Sequence, residues 1–76
     1  MTPEGQRELR QLGAAIRQKR EVMDVSQEDF AELAGVHRTY IGQLERGEKN
    51  VSFVSILRVA QSLKVKPSAL FKDAGL

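Results

Sequence analysis

Apolar side chains recur along this 76-residue chain at intervals of three and four, the period of an amphipathic helix, and nowhere alternate with polar residues as in a half-buried strand. Leu9, Leu12, Ile16 and Met23 mark the buried stripe of a first helix. Its entry is predicted at Thr2-Pro3-Glu4, with Thr2 as cap, Pro3 at the first helical position and an acid in the first turn. Gly5 and Gly13 weaken that helix by ~1 kcal/mol each relative to alanine. Phe30, Leu33 and Ala34 define a second stripe, and Ile41, Leu44 and Glu45 a third. After the polar turn Glu48-Lys49-Asn50, Ser52 can cap a fourth helix with Phe53, Ile56, Leu57, Ala60 and Leu63 on its inner side. Val65 and Pro67 start a short fifth helix holding Leu70 and Phe71, and the tail from Lys72 to Leu76 is expected to be loosely held. The pattern predicts an all-α, five-helix bundle forming a single domain over residues 1–76.

Residues 26–46, SQEDFAELAGVHRTYIGQLER, organise the rest. Ser26 is followed three residues later by Asp29, a capping-box-like pair in which each side chain can satisfy one free backbone donor. Gly35 closes this helix where a left-handed residue lets the chain turn, and Val36 is the apolar plug of the turn. The next helix starts at His37 and stops at Gly47. Its polar face carries Arg38, Thr39, Gly42, Gln43 and Arg46, which supply donors, a methyl group, a gap and no acid. Two helices joined by a short glycine-containing turn, the second with a donor-rich face, form the helix-turn-helix pattern suited to the major groove of double-stranded DNA.

Through SQEDFAELAGV, RTYIGQLERG and VSILRVAQSLKV, residues 16–71 resemble the XRE family of Cro/cI-type phage repressor domains. The run HRTYIGQLERGEKNV is especially similar to the small controller proteins of restriction-modification systems. The resemblance implies a lambda-repressor-like fold and a sequence-specific transcriptional regulator that binds a pseudo-palindromic operator as a homodimer. A protein-interaction module such as an antitoxin, which also binds DNA, is the alternative; it would ordinarily bring a long disordered arm, and the tail here is short.

Arg38, one residue into the second motif helix, can pair in bidentate fashion with guanine O6 and N7, and Thr39 can set its methyl against that of thymine. Gln43, one turn later, resembles a family base-reading position and suits adenine; a solvated glutamine is the competing reading. Gln27 lies at a helix N-terminus that attracts anions, and the resemblance makes it a phosphate ligand. Tyr40 and Arg46 would flank the same groove edge, with Lys49 and Asn50 reaching a neighbouring phosphate. Tyr40 also reads as a half-buried ring packed on the core, and His37 as a structural residue or weak phosphate contact. Gly42 costs ~1 kcal/mol in a helix interior, which suits close approach of a backbone or phosphate there, or is simple tolerance.

Four residues on from Ile16, the buried stripe of the first helix arrives at Arg20, a charge that needs a partner or must snorkel to water. Glu45 is the acid on the apolar face of the second motif helix, and the family pattern places a buried Arg-Glu bridge at these two positions. Val54 lies about 100° round from Phe53 and has no place on the predicted inner stripe. By resemblance, dimeric members join through their last two helices, so residues 51–76, around Val54, Leu70 and Phe71 and extended by Val51 and Leu76, are the expected dimer interface. Glu28 and Glu32 would offer RNA polymerase a contact by the same resemblance, although acids near a helix N-terminus also stabilise its dipole.

Composition narrows the picture only slightly. Lys and Arg number 12 against 10 Asp and Glu, a formal net charge of +2, so where the cations cluster matters more than their sum. There is no cysteine and one histidine, which gives no thiolate metal site, no disulfide frame and no cofactor expectation. No nucleophile-base pair or acid pair suggests an enzyme. No run is apolar enough for a signal peptide or membrane span, and a cytoplasmic protein is expected.

Overall fold

In the computed structural model, which describes residues 4–76, the chain folds into α1 (Gln6–Val22), α2 (Gln27–Ala34), α3 (Arg38–Glu45), α4 (Phe53–Ser62) and α5 (Pro67–Asp73). No strand occurs among the described residues. The α1 entry differs from expectation. The helix begins at Gln6, and Gly5 is its cap at φ 83°, a left-handed conformation that glycine adopts freely. Gly5 therefore carries no helix-interior cost, and the expected Thr2-Pro3 entry lies outside the described residues.

Ser26 Oγ accepts from the Asp29 N–H at 3.0 Å, the one half of the expected reciprocal pair that forms. Ser52 Oγ accepts from the Ser55 N–H at 3.1 Å and starts α4, and Pro67 opens α5 with its ring already at a helical φ. α2 ends in a Schellman motif: the Val36 N–H reaches Ala31 O at 3.0 Å and the Gly35 N–H reaches Glu32 O at 3.2 Å, with Gly35 at φ 69°. α3 ends in the same way through Glu48 N–H to Gln43 O at 2.8 Å and Gly47 N–H to Leu44 O at 3.1 Å, with Gly47 at φ 71°.

Ile16, Phe30, Ile41, Leu44, Val59 and Leu70 are the largest fully buried side chains, and they come from all five helices. α3 sits against α1 and α2, α4 against α2 and α5, and α5 closes back on α1. Two expected stripes are rotated. On α2 the covered residues are Phe30, Ala31 and Ala34, and Leu33 stands 61% exposed. At about 100° per residue, Ala31 and Phe30 flank Ala34, whereas Leu33 falls a quarter-turn away. On α4 the covered set is Ile56, Val59, Ala60 and Leu63, an i, i+3, i+4, i+7 stripe, and the expected inner residues Phe53 and Leu57 point outward. Leu9 and Met23, expected on the α1 stripe, are only half-buried, Met23 because it lies just past the helix end.

Gly13 is the device that lets α1 and α3 meet. A Cβ there would stand 2.6 Å from the Glu45 carbonyl oxygen and closer still to that of Leu44, so the helix backbones touch across this glycine. Its helix-propensity cost is exchanged for close packing. Gly47 repeats the device against the Arg10 backbone, and Gln6 Nε2 donates to Gly47 O at 2.6 Å. The C-terminal tail is not loosely held as expected. Lys19 pairs with Asp73, Ala74 is buried, and the Leu76 N–H donates to Phe71 O at 2.9 Å.

Candidate nucleic-acid interface

α3 presents its two faces to different environments because its sequence alternates them every half-turn. Ile41, Leu44 and Glu45 face inward and are buried, while Arg38 and Thr39 are exposed and Gln43 is half-exposed on the outward side. Arg46, the cap residue, is exposed one turn after Gly42 on that same side. His37 Nδ1 accepts from the Thr39 N–H at 3.1 Å, so this histidine caps the helix and spends its δ nitrogen doing so. Tyr40 is half-buried and packs against the core. Lys49 and Asn50 are exposed in the turn that follows.

Beneath the exposed face lies a buried polar clamp. Arg20 Nε donates to Glu45 Oε2 at 2.6 Å and Arg20 Nη2 to Glu45 Oε1 at 3.1 Å, a bidentate pair with both residues buried. Arg20 Nη1 also donates to Val25 O at 2.8 Å, and Gln27 Nε2 donates to Glu45 Oε1 at 3.0 Å. The arginine does not snorkel. One carboxylate thus ties α3 to α1 through a guanidinium and to α2 through an amide. Among the described residues no buried side-chain nitrogen or oxygen lacks a hydrogen-bond partner. The hydrogen bond that Arg20 donates to Glu45, stronger than the opposing effect of burial, raises the Arg20 pKa above its ordinary value.

Gln27, His37, Arg38, Thr39, Gly42 and Arg46 line one shallow depression between the start of α2 and the outward face of α3. Two of these residues carry partners the sequence did not reveal. Gln27 gives one amide hydrogen to Glu45, which leaves it a second donor hydrogen. Arg46 Nε pairs with Glu48 Oε2 at 3.1 Å in an exposed ion pair, whose hydrogen bond raises the arginine pKa further. A spacing of two residues across a helix end carries no recognisable pairing signal, so sequence reasoning had no means of finding Glu48. Expected contacts Arg38, Thr39, Gln43, Gln27 and Arg46 gather around one surface; Lys49 and Asn50 stand beyond the helix end. Glu28 and Glu32 are exposed on α2.

Comparisons with known proteins place this geometry. Residues 16–70 match the HTH_3 helix-turn-helix family model. The chain is 38% identical over 65 residues to the control protein C.SmaI of Serratia marcescens, covering 86% of this chain and 77% of the relative. It is 41% identical over 60 residues to the control protein C.BamHI of Bacillus amyloliquefaciens, covering 78% and 74%. Among solved structures, the restriction-modification controller protein C.AhdI of Aeromonas hydrophila superposes with a TM-score of 0.80 at 41% identity, covering 83% of this chain and 96% of that one. The chain belongs to the HTH_3 helix-turn-helix family, a family of DNA-binding transcription regulators.

Proposed function

We propose that the protein controls transcription within a restriction-modification system by binding a pseudo-palindromic operator as a homodimer. The observation that carries the reading is the outward face of α3, where Arg38, Thr39 and Gln43 stand in reach of a major groove on a helix held from behind by Glu45. In this reading Arg38 takes guanine O6 and N7, Thr39 a thymine methyl, and Gln43 an adenine edge. Gln27, Tyr40, Arg46, Lys49 and Asn50 hold phosphates and fix the helix in register. The names of the similar proteins support the regulatory setting.

A second copy is needed because one small module buries too little groove surface for tight operator binding. The exposed apolar residues Phe53, Val54 and Leu57 of α4 support a self-association surface there, and Phe71 is half-buried on α5, the helix that packs against α4. Leu70, expected in that interface, is wholly buried in the core of its own chain and is replaced by Phe53 and Leu57. Exposed Glu28 and Glu32 leave a contact with RNA polymerase sterically open.

The test is footprinting on the DNA upstream of the protein's own coding region, with affinity measured across salt concentrations. Two protected half-sites about one helical turn apart, with affinity falling steeply as salt rises, are expected. Equal affinity for this region and for random DNA at every salt concentration would overturn sequence-specific regulation.

A further inference from the structure

Three of the five helices start on a capping side chain, and α3 is set apart by the chemistry of its cap. Ser26 and Ser52 cap α2 and α4 with hydroxyls, which do not change charge near neutral pH. On α3 the cap is the Nδ1 lone pair of His37, which accepts from the Thr39 N–H at 3.1 Å. That bond needs a neutral imidazole with its hydrogen on Nε2, because a protonated ring carries hydrogen on both nitrogens and accepts nothing. Imidazole is the side chain whose ordinary charge change falls between about pH 5 and 8, and His37 is the only histidine in the chain.

The cap bears on the first two residues of α3, Arg38 and Thr39, whose N–H groups precede the bonds that the Tyr40 and Ile41 N–H groups make to His37 O. The clamp on Glu45 grips the opposite end of this eight-residue helix. No acid stands in the first turn of α3 to balance the positive end of the helix dipole, whereas α2 has Glu28 and Asp29 there. The depression that His37 lines holds two further cations, Arg38 and Arg46, and among the described residues no carboxylate. Of the charged groups on the neighbouring segments, Arg20 of α1 and Glu45 hold each other beneath α3, Glu48 holds Arg46, and Glu28, Asp29 and Glu32 of α2 are exposed outside the depression. A proton on His37 therefore removes the cap and adds positive charge at a helix end that disfavours it.

We infer that His37 is a titratable positioning residue: neutral, it holds the first turn of α3 and so aims Arg38 and Thr39, and protonated, it releases that turn and lowers the discrimination between operator and other DNA. This rests on the reading of Arg38 and Thr39 as base contacts. The quantity that reports it is the ratio of the two affinities. An imidazolium beside Arg38 and Arg46 attracts the backbone of any DNA equally, which raises both affinities together and cancels in the ratio.

The experiment measures affinity for the duplex upstream of the coding region and for a random duplex of equal length, at about pH 8 and about pH 5.5, on wild type, His37→Asn and His37→Ala. Asparagine caps without titrating, and alanine does not cap. The wild-type ratio is expected to fall about fivefold in acid, the His37→Asn ratio to stay at its high value, and the His37→Ala ratio to be low at both pH values. In the free protein, the amide proton of Thr39 should shift in NMR with the same midpoint as the His37 ring. A wild-type ratio constant within about twofold would overturn the inference, as would an equal fall in His37→Asn or a Thr39 amide that ignores the imidazole titration. If wild type prefers the upstream duplex equally at both pH values, the titratable cap fails and the base-contact reading stands. If it shows no preference even at about pH 8, the base-contact reading fails and the cap's role in discrimination with it.

Discussion

The outward faces of α3 and α4 are both solvent-exposed and both sit on short helices started by a capping side chain. On α3 the exposed groups are polar, water satisfies them, and the residues behind them are locked by the Arg20-Glu45-Gln27 clamp. On α4 the exposed groups are Phe53 at 72%, Val54 at 57% and Leu57 at 37%, three apolar side chains on one side of one helix. One face is polar and held in place from behind within the single chain; the other leaves apolar area in water that only another surface can cover. The difference teaches that buried charge and exposed apolar surface sit on separate parts of the molecule, and under the proposed function they take separate tasks, aiming α3 at DNA and joining two copies of the chain.

The strongest way to break the comparison is Glu45→Ala, which removes the clamp and strands a buried guanidinium. It should destabilise the free protein by ~3–5 kcal/mol against a total of ~5–15 kcal/mol, so thermal melts and circular dichroism should show a chain that is largely unfolded or close to it. Coincident melts of variant and wild type would show that the clamp contributes little. Next in size is Val54→Glu, aimed at the α4 face alone. A folded monomer by sedimentation is expected, with operator affinity reduced about a hundredfold because two half-sites no longer bind as one unit. A variant still dimeric at micromolar concentration would move the interface off α4.

Two smaller changes sharpen the other side. Arg38→Ala should cost ~1–3 kcal/mol of discrimination at one base pair and leave non-specific binding largely intact, as read from a panel of operator variants. Equal loss on every sequence would remove Arg38 from base reading. Arg46→Ala should weaken operator and random DNA alike and flatten the slope of log K against log salt by about one unit. Because Glu48 already neutralises part of this charge, Glu48→Ala should move affinity slightly the opposite way, and its failure to do so would show that the exposed pair does not restrain Arg46.

Much of the fold was legible because its signals are local. The Ser26 and Ser52 caps, the glycine after α2, the proline at the start of α5 and the polar face of α3 each act within about one turn of the residue that produces them. The Arg20-Glu45 pair was partly legible, since a charge on an apolar stripe demands a partner, but its choice between pairing and snorkelling needed the bundle. Leu33, Phe53 and Leu57 were misplaced for a clear reason. A helix with apolar residues on more than half its circumference has two acceptable stripes, and periodicity does not choose between them.

Sequence alone therefore determined the five helices, the Ser26 and Ser52 caps, the helix-turn-helix motif and which residues face outward on α3, because hydrogen-bond geometry and the helical period operate over a few residues. Only the tertiary structure decided that Ala31 and Val59 are covered while Leu33 and Phe53 are not, that Gly13 is a backbone contact and Gly42 is not, and that Glu45 serves Gln27 as well as Arg20. Those outcomes depend on which surface of a distant helix arrives against each residue, and close packing allows the contacts only where backbone and side chains from separate parts of the chain fit together.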